Sequence, residues 1–364
     1  MSAVEQKYTK TWTMINIQQP RIGVFSDIHL GNYRDDPKWH LIADDLSKWI
    51  AQQYRQRGIT DIIIPGDIFH NRFEVSVTTL NAAKRFFDNL REFNIIITIG
   101  NHDAFYRDRS DVNSLAIFDE WSNITVVSEF QLVEQHDVRI GLCPWAYDVS
   151  QLPACDVVFG HFEIAGFHFA PSKICTTGVE STKLLSRSPL IISGHFHMAA
   201  ERKYNGGVVK YVGTPYQLNW AEAGDSKFIY ILDLRTMKFE TIENDVSPKH
   251  IRIKMSDWIT NQVDRSIVKG NIINMIMDVS DDKAVSDTNE LSAHKFTTEV
   301  LGLGPVDYRT TYVTNNASAM LFDKEFDGVD VLSSMREFID LLDIKSEIKP
   351  LVINKIVDLY MRNQ

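Results

Sequence analysis

The stretch Ile62-Ile63-Ile64-Pro65-Gly66-Asp67-Ile68-Phe69-His70 decides the reading of this chain. Three β-branched residues in a row predict a buried strand, because such side chains fit a pleated surface that is covered on both faces. Pro65-Gly66 breaks the strand abruptly, so Asp67 is delivered just past its carboxyl end, where open α/β sheets place their ligands. A carboxylate in that position can bridge two metal ions.

Four further segments repeat the pattern of a short apolar run, a turn, and then Asp, Asn or His. They are Ile22-Gly23-Val24-Phe25-Ser26-Asp27-Ile28-His29, Ile95-Ile96-Ile97-Thr98-Ile99-Gly100-Asn101-His102-Asp103, Val157-Val158-Phe159-Gly160-His161 and Ile191-Ile192-Ser193-Gly194-His195-Phe196-His197. One such segment alone is an ordinary turn or cap; the series points to strand tips converging on one place. Asp27 and His29 are two apart, which puts both side chains on the same side of an extended backbone.

Two divalent ions about 3.5–4 Å apart can clamp a phosphoryl group and supply hydroxide at neutral pH. Asp27, His29 and His197 suit one ion, Asn101, His161 and His195 the other, and Asp67 lies between them. Mixed nitrogen and oxygen donors fit manganese or iron, and also zinc. His102 follows Asn101 directly and points away from it, so it is free to act on substrate as a catalytic imidazole. His70 is a second catalytic candidate at the rim.

The chain has 364 residues, 44% hydrophobic and 24% charged, enough for one large soluble domain and a smaller one. A formal charge of -10 argues against holding nucleic acid by bulk positive charge. It does not exclude a nuclease, whose bound cations reshape the local field. Cys143, Cys155 and Cys175 form no CxxC pair and read as reduced thiols. With no signal-peptide core and no run near the roughly 18 apolar residues of a membrane span, a cytoplasmic protein without a membrane partner is expected.

Along the chain, residues 1–20 read as an N-terminal extension. Trp39, Ile42, Leu46, Trp49, Ile50 and Tyr54 recur at three and four, predicting a helix over 38–58 between two strands, hence a parallel crossover. Helices are also expected over 78–93 and 111–121, packed on the sheet or forming a dimer surface. Strands are expected over 123–127, 130–133, 138–142, 157–159, 208–212 and 228–232. The fold class is therefore α/β, with residues 21–240 forming a four-layer α/β/β/α sandwich. Residues 241–325 read as a small α+β accessory domain: strands over 271–280 and 306–313 and a helix over 287–301. Residues 326–364 carry two apolar helical stripes and read as a C-terminal helical hairpin.

The set DxH, GDxxH, GNHD, GH and GHxH resembles the calcineurin-type metallophosphoesterase superfamily over residues 21 to about 200. Within it, Asp27-Ile28-His29-Leu30-Gly31 and Gly66-Asp67-Ile68-Phe69-His70 resemble the double-strand-break repair nucleases of the SbcD type. Protein phosphatases of the superfamily carry Asp-Arg after the bridging Asp block and Glu after GNH; this chain has Phe69-His70 and Asp103 there. Tyr211-Val212-Gly213-Thr214-Pro215-Tyr216 is similar to the nuclease subunits of T-even phage recombination endonucleases, which places the protein in the host cytoplasm if it is phage-encoded.

The resemblance implies a manganese-dependent DNA exonuclease or endonuclease, with magnesium as the alternative ion, that dimerises and works with an SbcC-like coiled-coil ATPase. It assigns the metal-ligand roles to Asp27, His29, Asp67, Asn101, His161, His195 and His197, and the catalytic role to His102. By order along the chain, residues 241–325 would cap the nuclease site and residues 326–364 would bind the ATPase. Arg34, Arg72, Arg107 and Arg109 lie beside the motif blocks and are the candidates for DNA phosphate contacts. The competing readings are a small-molecule phosphodiesterase or phosphatase on the same site, and a scaffold without catalysis.

Overall fold

The computed structural model describes residues 15–170, 172–279 and 295–314. The chain divides into two compact units, the first running to Leu218 and resuming over Asp225–Ser247, the second taking Asn219–Gly224 and the chain from Pro248 onward. The first unit thus extends past the expected boundary at 240. The expected hairpin over 326–364 lies outside the described residues.

The first unit contains β1 (Arg21–Val24), β2 (Asp61–Ile64), β3 (Asn94–Thr98), β4 (Ile124–Val127), β5 (Gln131–Gln135), β6 (Val138–Cys143) and β7 (Val157–His161). A short ribbon, β8 (His168–Ala170) and β9 (Lys173–Ile174), precedes β10 (Leu190–Gly194), β11 (Ala200–Tyr204), β12 (Gly207–Tyr211), β13 (Phe228–Asp233) and β14 (Lys238–Glu243). Two six-stranded sheets result, ordered β14-β13-β1-β2-β3-β4 and β11-β12-β10-β7-β6-β5. β1 to β4 run parallel, with Val24 opposite Ile63 and Ile62 opposite Ile95. β6, β7, β10 and β12 are also parallel, and His161 lies opposite Gly194. All the candidate tips of one sheet therefore end at the same edge.

Alternation along the strands decides which side chains meet. Val24, Ile63 and Ile96 of the first sheet pack with Ile140, Leu142, Val157, Phe159 and Ile192 of the second in one apolar cluster. Each fully buried side chain of this size stabilises the fold by roughly 1.5–3 kcal/mol. On the outer face of the first sheet, Tyr54 of the helix Pro37–Gln56 lies where a side chain at Gly23 would stand, 2.6 Å from that position. Asp36 caps this helix by accepting from the Lys38 N–H, and Ser76 caps the helix Val77–Asp88 by accepting from the Thr79 N–H. Val158, Ile191 and Val209 face the other way and pack with Phe162, Phe167, Leu184 and Phe196. That outer layer holds one short helix, Ser181–Leu185, so the fourth layer of the sandwich is thin.

The helix expected over 111–121 is a 3-10 turn, Ser114–Phe118. Backbone bonds explain its shortness: Phe105 N–H donates to the Val112 carbonyl and Ser114 N–H to that of Asp103, folding 103–114 back on itself. Of the expected extension, residues 15–20 pack on the domain: Ile17 is buried and the Gln18 N–H donates to the Asp61 carboxylate.

In the second unit, β15 (His250–Lys254), β16 (Ile272–Val279) and β17 (Asp307–Thr314) form a parallel three-stranded sheet, with a helix over 295–302. One face carries Ile253, Ile273, Met275 and Met277 against Trp258 and Val300. Arg252, Asn274 and Arg309 lie in register across the strands.

Candidate metal centre

The carboxyl ends of β1, β2 and β3 in one sheet meet those of β7 and β10 in the other. His195 N–H donates to Asp27 Oδ1 at 3.0 Å, and His161 Nδ1 bonds the Pro65 carbonyl at 2.6 Å, so backbone and side chains tie the two sheets together here. Asp27, Asp67, His29, His161 and Asn101 are all buried, and His195 and His197 are partly so. The close approach needs glycine. A side chain at Gly66 would stand 2.6 Å from Gly100 Cα, and one at Gly100 would strike the backbone nitrogen of Asp67.

Asp67 occupies the middle. Its Oδ2 lies 3.2 Å from His161 Nε2 and 3.6 Å from His29 Nε2, while Oδ1 accepts the His102 N–H at 2.8 Å. His29 Nε2 faces His197 Nε2 at 3.1 Å. On the other side Asn101 Oδ1 lies 2.9 Å from His161 Nε2 and 2.8 Å from His195 Nδ1. Three groups of side chains can each close on an ion: Asp27, His29 and His197; Asp67, His161 and His195; and, towards the rim, His29, His70 and His102. All seven residues expected as ligands are thus brought together.

The donor set itself tests whether cations fit. A carbonyl only accepts, so His161 donates to Pro65 through Nδ1, and its neutral form turns a bare Nε2 lone pair towards Asn101 Oδ1 and Asp67 Oδ2. Lone pairs converging in a buried space need a positive charge between them. Asp27 Oδ2 is buried without a hydrogen-bond partner, a cost of about 1–3 kcal/mol unless a ligand compensates. The residues fit two divalent cations.

Without cations, protons take their place. Burial opposes the charge of Asp67, but His161, His102 and His29 more than reverse this and hold its carboxyl well below the ordinary range. Burial likewise pulls His161 down, and the Asp67 carboxylate outweighs it, raising His161 to about 9. Burial and then His102 hold His29 well below its ordinary value; burial and then His161 do the same to His195. Asp27 is raised by burial.

Asp27, His29, Asp67 and His195 all have positive φ, at 59°, 51°, 55° and 93°. Non-glycine residues in this region carry strain of order 1–3 kcal/mol each, and it gathers at functional sites. The sequence offered no sign of it.

His102 stands beside this group. Its Nδ1 bonds the His70 carbonyl at 2.5 Å, so the proton of the neutral ring sits on Nδ1 and Nε2 is left for a ligand. Its ring is 4.8 Å from that of His29 and 5.8 Å from that of His70, with His70 exposed at the rim.

The four arginines have different surroundings. Arg72 Nη2 donates to the Asn101 carbonyl at 2.6 Å and so braces the turn that carries Asn101 and His102. Arg109 stacks 3.9 Å over Tyr106 and pairs with Asp111 at 3.2 Å. Arg107 is exposed, and its carbonyl accepts the Trp145 indole N–H at 2.9 Å. Arg34 is exposed in a turn where Tyr33, Arg34 and Asp35 all have positive φ.

Sequence reasoning passed over Asp103. This fully buried carboxylate accepts the N–H groups of Asp67, Ile68, Phe69 and Gly100 at 2.8–3.1 Å and so holds the Asp67 turn against the Asn101 turn. Burial and the charge of Asp67 push its carboxyl up to about 7, against those four bonds. Its place directly after Gly-Asn-His was the available signal. Trp145, whose ring is 5.5 Å from that of His195, follows Pro144 at the end of β6 and carried none.

Residues 20–199 match the calcineurin-like phosphoesterase family. The chain carries a calcineurin-like phosphoesterase domain. It is a metal-dependent phosphoester hydrolase domain, in a family that uses divalent metals. Among relatives, the chain is 27% identical over 232 residues to exonuclease subunit 1 of Enterobacteria phage T4, covering 61% of this chain and 67% of that protein. Among solved structures it is similar to an archaeal phosphodiesterase, with 17% identity and a TM-score of 0.35 over 62% of this chain and 99% of that one. It is also similar to a dimetal phosphatase from Danio rerio, with 13% identity and a TM-score of 0.37 over 59% and 92%. No helix among the described residues is long and apolar enough to cross a membrane.

Proposed function

We propose that the chain is a DNA phosphodiesterase with a two-ion centre, held by Asp27, His29, Asp67, Asn101, His161, His195 and His197. The observation that carries this is the place of Asp67 Oδ2, within 3.6 Å of imidazole nitrogens on both sides. When bound, two such cations polarise the phosphoryl oxygens and lower the pKa of water. The chain's own residues do the rest. Asp67 Oδ1 fixes the His102 backbone, the His70 carbonyl fixes the His102 ring, and Arg72 fixes the Asn101 carbonyl. His102 is placed to donate a proton from Nε2 to the departing 3′ oxygen as a water oxygen adds to phosphorus, the P–O bond breaks and the water gives up a proton to solvent, from which the ring is reprotonated.

DNA as substrate is supported by the relative from phage T4, an exonuclease subunit. On the resemblance of the motif blocks to SbcD-type nucleases we assign manganese as the ion, with magnesium the alternative, and an SbcC-like coiled-coil ATPase as partner to residues 326–364. We assign repair and recombination as the process, in the cytoplasm of the host cell. Residues 241–325 would supply the cap. A homodimer fits the exposed apolar side chains Phe73, Val77, Val112 and Ile117 on the segments flanking His70 and Asn113.

The test is hydrolysis of linear duplex and single-stranded DNA, beside p-nitrophenyl phosphate and its bis-ester, with Mn2+ and then Mg2+, for the wild type and His102→Ala. Mn2+-dependent DNA cutting that falls about 10²–10⁴-fold in the variant is expected. Monoester turnover with no DNA cutting would move the protein to the phosphatases, and full activity in the variant would remove His102 from the mechanism.

A further inference from the structure

In the ligand set of the two-ion reading, His195 turns one nitrogen away from the ions. His195 presents Nδ1 to Asn101 Oδ1 at 2.8 Å, while its Nε2 is buried with no hydrogen-bond partner. A neutral imidazole has one proton for two nitrogens, so a ring that offers Nδ1 to a cation must carry its proton on Nε2. That buried N–H then needs an acceptor.

Glu163 Oε2 lies 4.0 Å from His195 Nε2. A shift of about 1 Å brings the pair within range of an N–H···O bond. The carboxylate is held from behind: the Thr177 hydroxyl donates to Oε1 at 2.6 Å and the Cys175 thiol points to the same oxygen at 3.5 Å. The Glu163 main chain is pinned as well, its carbonyl accepting the Val179 N–H at 2.8 Å. Oε1 is thus engaged by the 175–179 loop, and Oε2 is the oxygen left for His195.

We infer that Glu163 is a positioning residue for His195: it accepts the Nε2 proton, fixes the tautomer with Nδ1 bare, and aims that nitrogen at the ion shared with Asn101 and His161. The inference rests on the two-ion reading above. A carboxylate behind a metal-bound imidazole also makes the ring a more basic ligand, and losing such a partner typically costs about 10–100-fold in metal affinity. The bland alternative is that Glu163 only fastens the 175–179 loop through Thr177.

Mn2+ titration of the full chain, followed by calorimetry and by the spin-coupled electron paramagnetic resonance signal of an ion pair, separates the two. For the wild type two bound ions are expected. Glu163→Ala should weaken one ion about 10–100-fold and diminish the coupled signal. Glu163→Gln, which keeps the shape and an acceptor oxygen, should recover most of the loss, and Thr177→Val should lower the melting temperature in EDTA more than it lowers affinity. Two ions bound by Glu163→Ala at wild-type affinity, whatever its melting temperature, would overturn the inference while leaving the centre intact. If Glu163→Ala fails to fold, Glu163→Met, which keeps the length of the side chain without an acceptor oxygen, carries the decision, with affinity lower than wild type supporting the inference and unchanged affinity overturning it. A wild type that binds fewer than two ions would instead overturn the two-ion reading, and this inference with it.

Discussion

The sheets of the first unit and the sheet of the second share short runs of β-branched and apolar residues with parallel pairing at their centres, yet among the described residues only the first unit gathers groups able to hold an ion. β2 and β3 end in Pro65-Gly66-Asp67 and Ile99-Gly100-Asn101, turns that release a donor at the sheet edge. β15 passes from Lys254 straight into the helix Met255–Ile259, with no turn to present one. Among the described residues, every group of side chains able to hold an ion lies in the first unit. The strands place an edge; the residues that stop the strands decide what the edge does.

That contrast can be broken at several points. Asp67→Ala removes the carboxylate between the two imidazole groups and should reduce hydrolysis to background and Mn2+ binding below two ions, while circular dichroism stays unchanged. Hydrolysis that survives the change would mean that the chemistry lies elsewhere. Met275→Ala opens a cavity in the fully buried core of the second unit, and should cost that unit about 2–5 kcal/mol in denaturant unfolding. Mn2+ binding should be untouched; its loss would show that the first unit's centre depends on the second unit's packing.

Asp103→Asn replaces one acceptor oxygen by a donor opposite four buried N–H groups. It should lower stability by about 1–3 kcal/mol, with a parallel fall in Mn2+ affinity, since the turns it joins carry Asp67 and Asn101. A fall in stability with affinity unchanged would reduce Asp103 to a staple. The smallest effect is expected from Tyr54→Phe, which loses the hydroxyl bonds to the Val24 and Tyr230 carbonyls at 3.2 and 3.1 Å. A loss of about 1 kcal/mol without change in activity sharpens the view that the layer behind the sheet supports the site without tuning it.

The strand tips were legible because a β-branched run broken by Gly-Asp or Gly-Asn leaves few alternatives, and the ligand residues sit directly at the breaks. The helix Pro37–Gln56 was legible for a similar reason, a long stripe at one period. The 111–121 segment was not, because its apolar spacing suits a helix while backbone bonds to residues 103–105 fold it into a loop. β14 was not legible either, since nothing local shows that Lys238–Glu243 pairs with β13 along its whole length. The bond from Arg72 to the Asn101 carbonyl and those from four buried N–H groups to Asp103 had no local signal of this kind. Such roles depend on which atoms come together across the fold, and no local pattern records them.

The most direct test of the centre is anomalous scattering at the manganese edge from crystals grown with Mn2+. The account predicts two peaks about 3.5–4 Å apart, one beside Asp27, His29 and His197, the other beside Asn101, His161 and His195, with Asp67 between them. A single peak, or ions bound away from Asp67, would contradict it.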